Sequence, residues 1–327
     1  MQSIAAVQKQ KSIASIQFLP VNLFASVMGI SGLSLAWKQA SKLFGTSLVI
    51  ADVIGILAMI MFIILAIAYL AKWALYPQKV KDEFKHPVSG NFFGTITIAI
   101  LLLSSVISPY SQLTGQVLWV IGTVTTLTLS FVIVTRLLNG NHEHSYAVPA
   151  WLIPGVGTID IAVAGGTMPF AWTREVNLLA LAIGGIVALV FLTMILSRLI
   201  HHPPLHAGLT PSMIIMIAPF AVGFLGYTKF EQRIDQFASI LFYFGLFFFL
   251  VLFFKVFKKS IPFGASWWGV SFPLAALSNA SLEYAMFVQG WLLITISVII
   301  LVLLNIVLLV LFIRTLKSLF NGQLLKG

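Results

Sequence analysis

One carboxylate, that of Asp160, lies well inside a long apolar stretch of the sequence. An acidic side chain in a membrane segment is costly to bury, and by default it suggests a functional site. Asp160 is therefore a candidate residue for proton or cation coupling. The same carboxylate could instead be a structural partner for a serine, a backbone group or water. The sequence leaves both interpretations open.

The histidines and glycines form no catalytic or metal-binding pattern. His142-Glu143-His144 and His201-His202 could bind a metal adventitiously, but no helical histidine pair with a carboxylate at ligand spacing is present. Gly155-Val156-Gly157 is similar to a phosphate loop only superficially, because it lies in an apolar segment with no preceding strand. The chain has no cysteine, which excludes disulfides, thiolate metal sites and cysteine nucleophiles. We therefore predict that the protein is not an enzyme and carries no cofactor or metal.

The composition is that of a membrane protein. Hydrophobic residues make up 59% of the 327 residues and charged residues only 9%, and the mean hydropathy is +1.03. Several apolar runs reach about 20 residues, enough to cross a hydrocarbon core of ~30 Å. The formal net charge of +10 would suit nucleic acid or anionic lipid, but in a membrane protein the distribution of lysine and arginine matters more. We predict a polytopic protein surrounded by membrane lipid, with no nucleic-acid partner.

Ten transmembrane helices can be drawn on the sequence. Their connections are short, so neighbouring helices should form antiparallel hairpins, and no segment is long enough for a separate soluble domain. We therefore predict a single transmembrane domain over residues 1–327. The predicted spans are 19–37, 48–71, 91–108, 116–138, 149–168, 177–200, 211–227, 236–257, 265–282 and 290–313.

Lysine and arginine concentrate on one side of this arrangement. Fourteen of the 19 lie at the termini or in the loops after even-numbered spans, and cytoplasmic loops carry such an excess. We therefore predict that both termini are cytoplasmic, and we expect no cleaved signal peptide. The five cations on the opposite side are Lys38, Lys42, Arg174, Lys229 and Arg233.

Prolines recur near the start of, or inside, every odd-numbered span. Pro20, Pro87, Pro154, Pro219 and Pro273 are separated by 67, 67, 65 and 54 residues, which indicates an internal repeat. Small residues recur on one face of the odd spans, whereas the even spans are rich in Leu, Ile, Val and Phe. We expect five bent, small-residue helices inside and five bulky helices facing lipid. Five helices around one axis predict a central pore, with a collapsed core as the alternative.

The ninth span carries the residue that we expect to close such a pore. Phe272 is a single aromatic ring on a face of small or polar residues, as a hydrophobic plug in a narrow pore requires. Pro273 cannot donate to the carbonyl of Gly269, so we expect the helix to bend here. The alternative is that Phe272 faces lipid or a neighbouring helix and that the small residues serve close packing. The other residues on this face are Ala265, Gly269, Ala276 and Asn279.

The predicted pore contains almost no charge. Without strong binding sites an ion passes quickly, which favours a channel over a tight-binding carrier. Backbone N–H groups at broken helices and a lysine-rich cytoplasmic mouth create a weak positive potential that favours anions. The absence of acidic rings argues against cation selectivity.

Short motifs along nearly the whole chain are similar to those of a known family. In this order they resemble the tellurite-resistance/dicarboxylate transporter family, which includes the slow-type anion channels of plant guard cells and their bacterial homologues. The motifs are Leu19-Pro20-Val21-Asn22, Leu33-Ser34-Leu35-Ala36-Trp37, residues 86–93, residues 149–154, Ala218-Pro219, and Trp267-Trp268 with Pro273.

This resemblance implies a homotrimer in the bacterial inner membrane, in which each protomer has its own pore lined by the odd helices in quasi-fivefold array. It implies an anion channel for chloride and nitrate that Phe272 occludes. Some family members are described as dicarboxylate, sulfite or tellurite transporters, so a proton-coupled exporter that uses Asp160 is the alternative. Two positions depart from the family pattern: Ala25 stands where relatives can carry glycine, and Asp160 has no clear counterpart. The candidate pore-lining residues are Asn22, Ala25, Gly29, Thr158, Pro219, Gly223, Gly269, Pro273 and Ala276.

Overall fold

The computed structural model describes residues 15–140 and 143–325. Within these ranges the chain forms eleven α-helices, and the same ranges contain no β-strand. Three of the fourteen cations on the more positive side lie outside the described residues: Lys9, Lys11 and Lys326. His142 also lies outside them. The helices are α1 (Phe24–Phe44), α2 (Leu48–Leu75), α3 (Pro77–Lys85), α4 (Gly94–Ile107), α5 (Gln112–Asn139), α6 (Leu152–Gly165), α7 (Thr173–His201), α8 (Ala218–Glu231), α9 (Gln236–Val256), α10 (Ser271–Val288) and α11 (Trp291–Phe320).

Ten of the eleven helices overlap the ten predicted segments, and α3 is additional. Seven helical segments of the described chain are long and apolar enough to cross a membrane: α2, α5, α7, α9, α11, and α4 and α8 together with the turns before them. The apolar helix α6 is shorter. The chain is an all-helical, multi-pass membrane protein, and the count of ten spans stays a prediction.

A run of 3₁₀-helix precedes each of α1, α4, α6, α8 and α10. Pro154, Pro219 and Pro273 lie within the first turn of their α-helices, where a missing N–H costs nothing because that group has no partner inside the helix. The bend that we predicted in the interior of the ninth span is instead a change from 3₁₀- to α-helix just before Pro273. The 3₁₀ runs are Val21–Leu23, Ser89–Phe93, Pro149–Trp151, Ala207–Ile217 and Ala265–Val270.

The five helices that follow these runs pack against one another in a cyclic order. Helix α1 contacts α4, α4 contacts α6, α6 contacts α8, α8 contacts α10, and α10 returns to α1. Each also packs against the long helix that follows it: α2, α5, α7, α9 and α11. The long helices bury a minority of the residues in their most apolar stretches, and their exposed side chains are mostly large and apolar, as lipid contact requires.

Small residues allow α1 and α10 to approach closely. A side chain on Gly29 would overlap Ser271, and the first side-chain carbon at Gly32 would lie 2.6 Å from the Cβ of Ala275. Because the Cβ atoms of ordinary residues do not fit in such a contact, glycine is required at both positions. This contact brings the first and last of the five inner helices together.

Candidate functional site

A large cavity of about 1060 Å³ lies among the five inner helices, and each of them contributes to its lining. Lys42 and Arg233 lie at its exposed end, whereas Phe272 and Asp160 are buried at the other end. The cavity therefore leads from solvent-exposed polar residues to the middle of the inner helices. Pockets of this size, lined partly by apolar side chains and partly by a few polar groups, are typical of ligand and ion pathways.

The charged groups of the large cavity are mainly positive. Its lining contains four cations and only two acids, one of which is Asp160. The cations are Lys38, Lys42, Lys229 and Arg233. The other acid, Glu283, forms an ion pair with Lys229 at 2.9 Å. The field of the cavity should therefore attract anions from solution.

A second, much smaller cavity of about 20 Å³ lies on the other side of Phe272. Ala25, Gly269 and Pro273 line it, together with apolar side chains of the neighbouring inner helices. Phe272 lines both cavities, and no other described residue does. The residue as a whole is 6% exposed. The ring thus stands between the wide and the narrow space.

Hydrogen bonds fix the helix that carries Phe272. The single O–H of Ser271 is shared between two acceptors, the carbonyl oxygen of Ala25 at 2.9 Å and that of Trp268 at 2.7 Å. The indole N–H of Trp268 donates to the Thr315 hydroxyl at 2.9 Å. Because these bonds reach both α1 and α11, they restrict the rotation of α10 and hold the ring in place.

A pair of amides spans the same two helices closer to the exposed end. Asn279 donates to the carbonyl oxygens of Gly32 and Ala275, both at 2.8 Å, and accepts a hydrogen bond from Gln39 at 3.1 Å. Gln39 and Asn279 both line the large cavity. They give it a neutral polar wall beside its charged groups.

Asp160 lines the large cavity from α6 and is only 2% exposed. Its Oδ2 atom is buried and accepts no hydrogen bond from the described part of the protein. A buried carboxylate oxygen without a protein partner is costly, so water, an ion or a proton must satisfy it. This placement fits both of the roles that the sequence leaves open for Asp160.

The structure places the other candidate residues in two groups. Ala25, Gly269 and Pro273 line the small cavity and Ala276 lines the large one. The remaining five line neither: Asn22, Gly29, Thr158, Pro219 and Gly223.

Three of these five face neighbouring helices. Gly29 abuts α10, as described above. Thr158 is fully buried, donates to the carbonyl oxygen of Gly155 in its own helix, and lies against Gly184 of α7. The neighbour closest to Gly223 is Leu241 of α9.

Apart from Asp160 and Asn279, sequence reasoning did not assign the polar residues of the large cavity to the pore. Four residues of α1 line the cavity at intervals of three and four, so they continue the small-residue face toward the end of the helix. They are Gly32, Leu35, Gln39 and Lys42. Following that period beyond the apolar stretch would have identified Gln39 and Lys42. Glu283 lies on the corresponding extension of the Phe272 face and also lines the cavity.

No group of three or more histidine, cysteine or acidic residues in the ranges 15–140 and 143–325 is arranged to hold a metal ion. Asp160 and Glu283, the acids of the large cavity, come from different helices and are accompanied there by lysine and arginine rather than by further ligands.

The sequence of the chain matches that of a known family. The family model described as SLAC1, voltage-dependent anion channel, matches residues 19–316. The chain is 28% identical to a tellurite resistance protein TehA homolog of Haemophilus influenzae, over 93% of this chain and 92% of that protein. It is 25% identical to the uncharacterized transporter MJ0762 of Methanocaldococcus jannaschii, over 81% and 84% of the two chains. It is also 26% identical to the S-type anion channel SLAH2 of Arabidopsis thaliana, over 83% of this chain and 53% of that protein. The chain belongs to the SLAC1 family of voltage-dependent anion channels.

Proposed function

We propose that the protein is an anion channel that conducts chloride and nitrate and that Phe272 is its gate. The observation that carries this proposal is the position of Phe272, which lines both the large and the small cavity. An apolar ring at a constriction blocks ions because no polar group there replaces their hydration shell. The positive large cavity and the family both support an anion as the permeant ion.

The cyclic contacts of α1, α4, α6, α8 and α10 support a quasi-fivefold ring of ten spans around a central pore. The excess of lysine and arginine on one side supports cytoplasmic termini, with the large cavity on the opposite side. The bacterial inner membrane rests on the resemblance to the family. The resemblance to the family further supports a homotrimer with one pore in each protomer. The mass of the purified protein in lipid nanodiscs tests the trimer.

Current across a lipid bilayer tests the gate. Phe272→Ala should carry a much larger current than the natural chain, and that current should reverse at the anion equilibrium potential. Phe224→Ala is the matched control, because Phe224 is fully buried against Phe242 and Tyr284 and lines neither cavity. Equal currents through the natural chain and Phe272→Ala would contradict the gate.

The second candidate function is proton-coupled export of a C4-dicarboxylate, sulfite or tellurite. One observation favours it: the buried Oδ2 of Asp160, without a partner in the described chain, in the lining of the large cavity. A carboxylate in that position could carry a proton between the two sides. Uptake of organic anion that follows a pH gradient and disappears in Asp160→Asn, with no current through Phe272→Ala, would establish the carrier instead of the channel.

A further inference from the structure

The short helix α3 is an amphipathic element that the sequence did not reveal. Val80, Glu83 and Phe84 are partly buried at spacings of three and four, which marks the inward face. Its lysines, Lys79, Lys81 and Lys85, are all exposed. Asp82 is also exposed, so the exposed surface of α3 carries three positive charges and one negative charge and is basic overall.

This helix folds back onto the end of α2. Tyr76 ends α2 with φ −135° and ψ 57°, and Pro77 begins α3. Lys72 and Glu83 are 11 residues apart, which in one continuous helix would separate them by roughly 16 Å. Their Nζ and Oε2 atoms instead lie 2.5 Å apart. The chain therefore reverses sharply between them.

The reversal places α3 where the apolar surface of α2 ends. Trp73 and Leu75, in the last turn of α2, are exposed by 60% and 66%. Tryptophan is enriched where a membrane span meets the headgroups. A basic helix that begins two residues after an exposed apolar end lies at the level where anionic headgroups are found.

We propose that the lysines of α3 bind the headgroups of anionic phospholipids and that this binding holds Phe272 in its closed position. The choice of ligand follows from charge complementarity and from the position of α3 at the end of a membrane span. The effect on Phe272 rests on the proposed channel function, whereas the binding of lipid does not.

The first link runs from α3 to the start of α1. The Glu83 carboxylate accepts hydrogen bonds from the backbone N–H of Val21 at 2.9 Å and from the hydroxyl of Tyr69 at 2.8 Å. Its ion-pair partner Lys72 is 3% exposed and also donates to the carbonyl oxygen of Leu19 at 2.7 Å. The 3₁₀ run before α1 is therefore connected to α3 through the buried Lys72 and the partly buried Glu83. A displacement of α3 must break these bonds or move that run with it.

The second link runs from α1 to Phe272. Ala25 is one helical turn after Val21, lines the small cavity, and accepts the hydrogen bond from Ser271. Ser271 directly precedes Phe272 in the chain. Hydrogen bonds at Val21 and at Ala25, connected by one turn of backbone, thus link the basic surface helix to the residue that precedes Phe272. Lipid that holds α3 at the membrane surface stabilises the arrangement with the ring in place.

Lipid binding is tested on the purified full chain. Native mass spectrometry would count the phosphatidylglycerol molecules retained by the natural chain and by the triple variant Lys79→Gln, Lys81→Gln, Lys85→Gln. We expect the triple variant to retain fewer. Equal retention would overturn the docking of lipid on α3. This measurement needs no current, so it decides the docking even where the channel function fails.

The link to Phe272 is tested by current in two bilayers, phosphatidylcholine alone and phosphatidylcholine mixed with phosphatidylglycerol. We expect the current of the natural chain to be about fivefold lower with the anionic lipid, which is within the range of ordinary allosteric coupling. The triple variant should lose this difference. The matched control replaces three other exposed lysines on the predicted cytoplasmic side, and its current should still depend on the anionic lipid. Its substitutions are Lys255→Gln, Lys258→Gln and Lys259→Gln.

Two further results separate the explanations. Phe272→Ala lacks the ring, so its current should be the same in both bilayers. If the anionic lipid lowers the current of Phe272→Ala as much as that of the natural chain, the effect comes from general surface charge, and the proposed link between α3 and Phe272 is wrong. Inorganic phosphate added to phosphatidylcholine bilayers should have no effect. A decrease with phosphate alone would indicate a soluble-anion site and overturn docking on lipid.

Discussion

The Ser271 hydroxyl donates a hydrogen bond to the carbonyl oxygen of Ala25 across 2.9 Å, and this bond joins the residue beside Phe272 to the first turn of α1. Gly29, one turn further along α1, leaves no space for a side chain against Ser271. The contact between the first and last inner helices therefore supports the ring directly. Phe272 is held by packed helices rather than by a loop.

Ser271→Ala should loosen the ring without removing it. The lost hydrogen bond is worth about 1 kcal/mol, so we expect the anion current in a bilayer to rise several-fold, but less than in Phe272→Ala. The control is Ser281→Ala, because the buried hydroxyl of Ser281 bonds only within its own helix. An equal rise in Ser281→Ala would contradict the role of the Ser271 bond.

Gly29→Ala should destabilise the fold by forcing α1 and α10 apart. Overpacking of this kind costs about 1–3 kcal/mol. Gly185→Ala is a matched control, since beyond its chain neighbours and the backbone of its own helix turn nothing lies within 4 Å of the position its Cβ would take. Alanine is there the better helix former by up to about 1 kcal/mol. Thermal unfolding of the purified proteins in detergent should therefore shift in opposite directions. Similar shifts would show that the α1–α10 contact tolerates a methyl group.

Neutralising Lys38 and Lys42 together should reduce the anion current most strongly at low salt. Both line the large cavity, and the attraction that they exert on anions is screened as the ionic strength rises. The measurement is single-channel current in the Phe272→Ala background at several salt concentrations. Arg174→Gln is the control, because exposed Arg174 lies on the face of Phe230 and not in the cavity. A reduction that is independent of salt would contradict an electrostatic role.

Lys72→Met should be among the most destabilising changes at a charged residue of this chain. Removing one member of a buried ion pair leaves the other unpaired, at a cost of about 3–5 kcal/mol. The double variant Lys72→Met with Glu83→Gln should cost less than the sum of the two single changes. Lys229→Gln breaks a pair whose lysine is 39% exposed, so it should cost no more than about 1 kcal/mol. Urea-induced unfolding in detergent compares all four, and additive costs would contradict the coupling of Lys72 to Glu83.

The long apolar runs of the sequence were sufficient to predict an all-helical membrane protein, because such runs have few other stable arrangements. Helix α3 was missed because it is short and its inward face includes the acid Glu83, whose partners come from distant residues. We predicted a bend at Pro273 in the interior of an α-helix because the sequence does not show that residues 265–270 form 3₁₀ turns. Gly29 and Thr158 were assigned to the pore because periodicity identifies a small-residue face but not the neighbour that it contacts. On these helices the face toward the next helix lies beside the face toward the cavity.

The cyclic order of the inner helices has a consequence for biogenesis. Successive hairpins can pack on the one before as they leave the ribosome, because α1 contacts α4, α4 contacts α6, and so on. The circle closes only when α10, near the end of the chain, returns to α1. Phe272 lies on that same helix. The helix that closes the circle of inner helices therefore also carries Phe272, so under the proposed function the pore and its gate are completed in the same step of assembly.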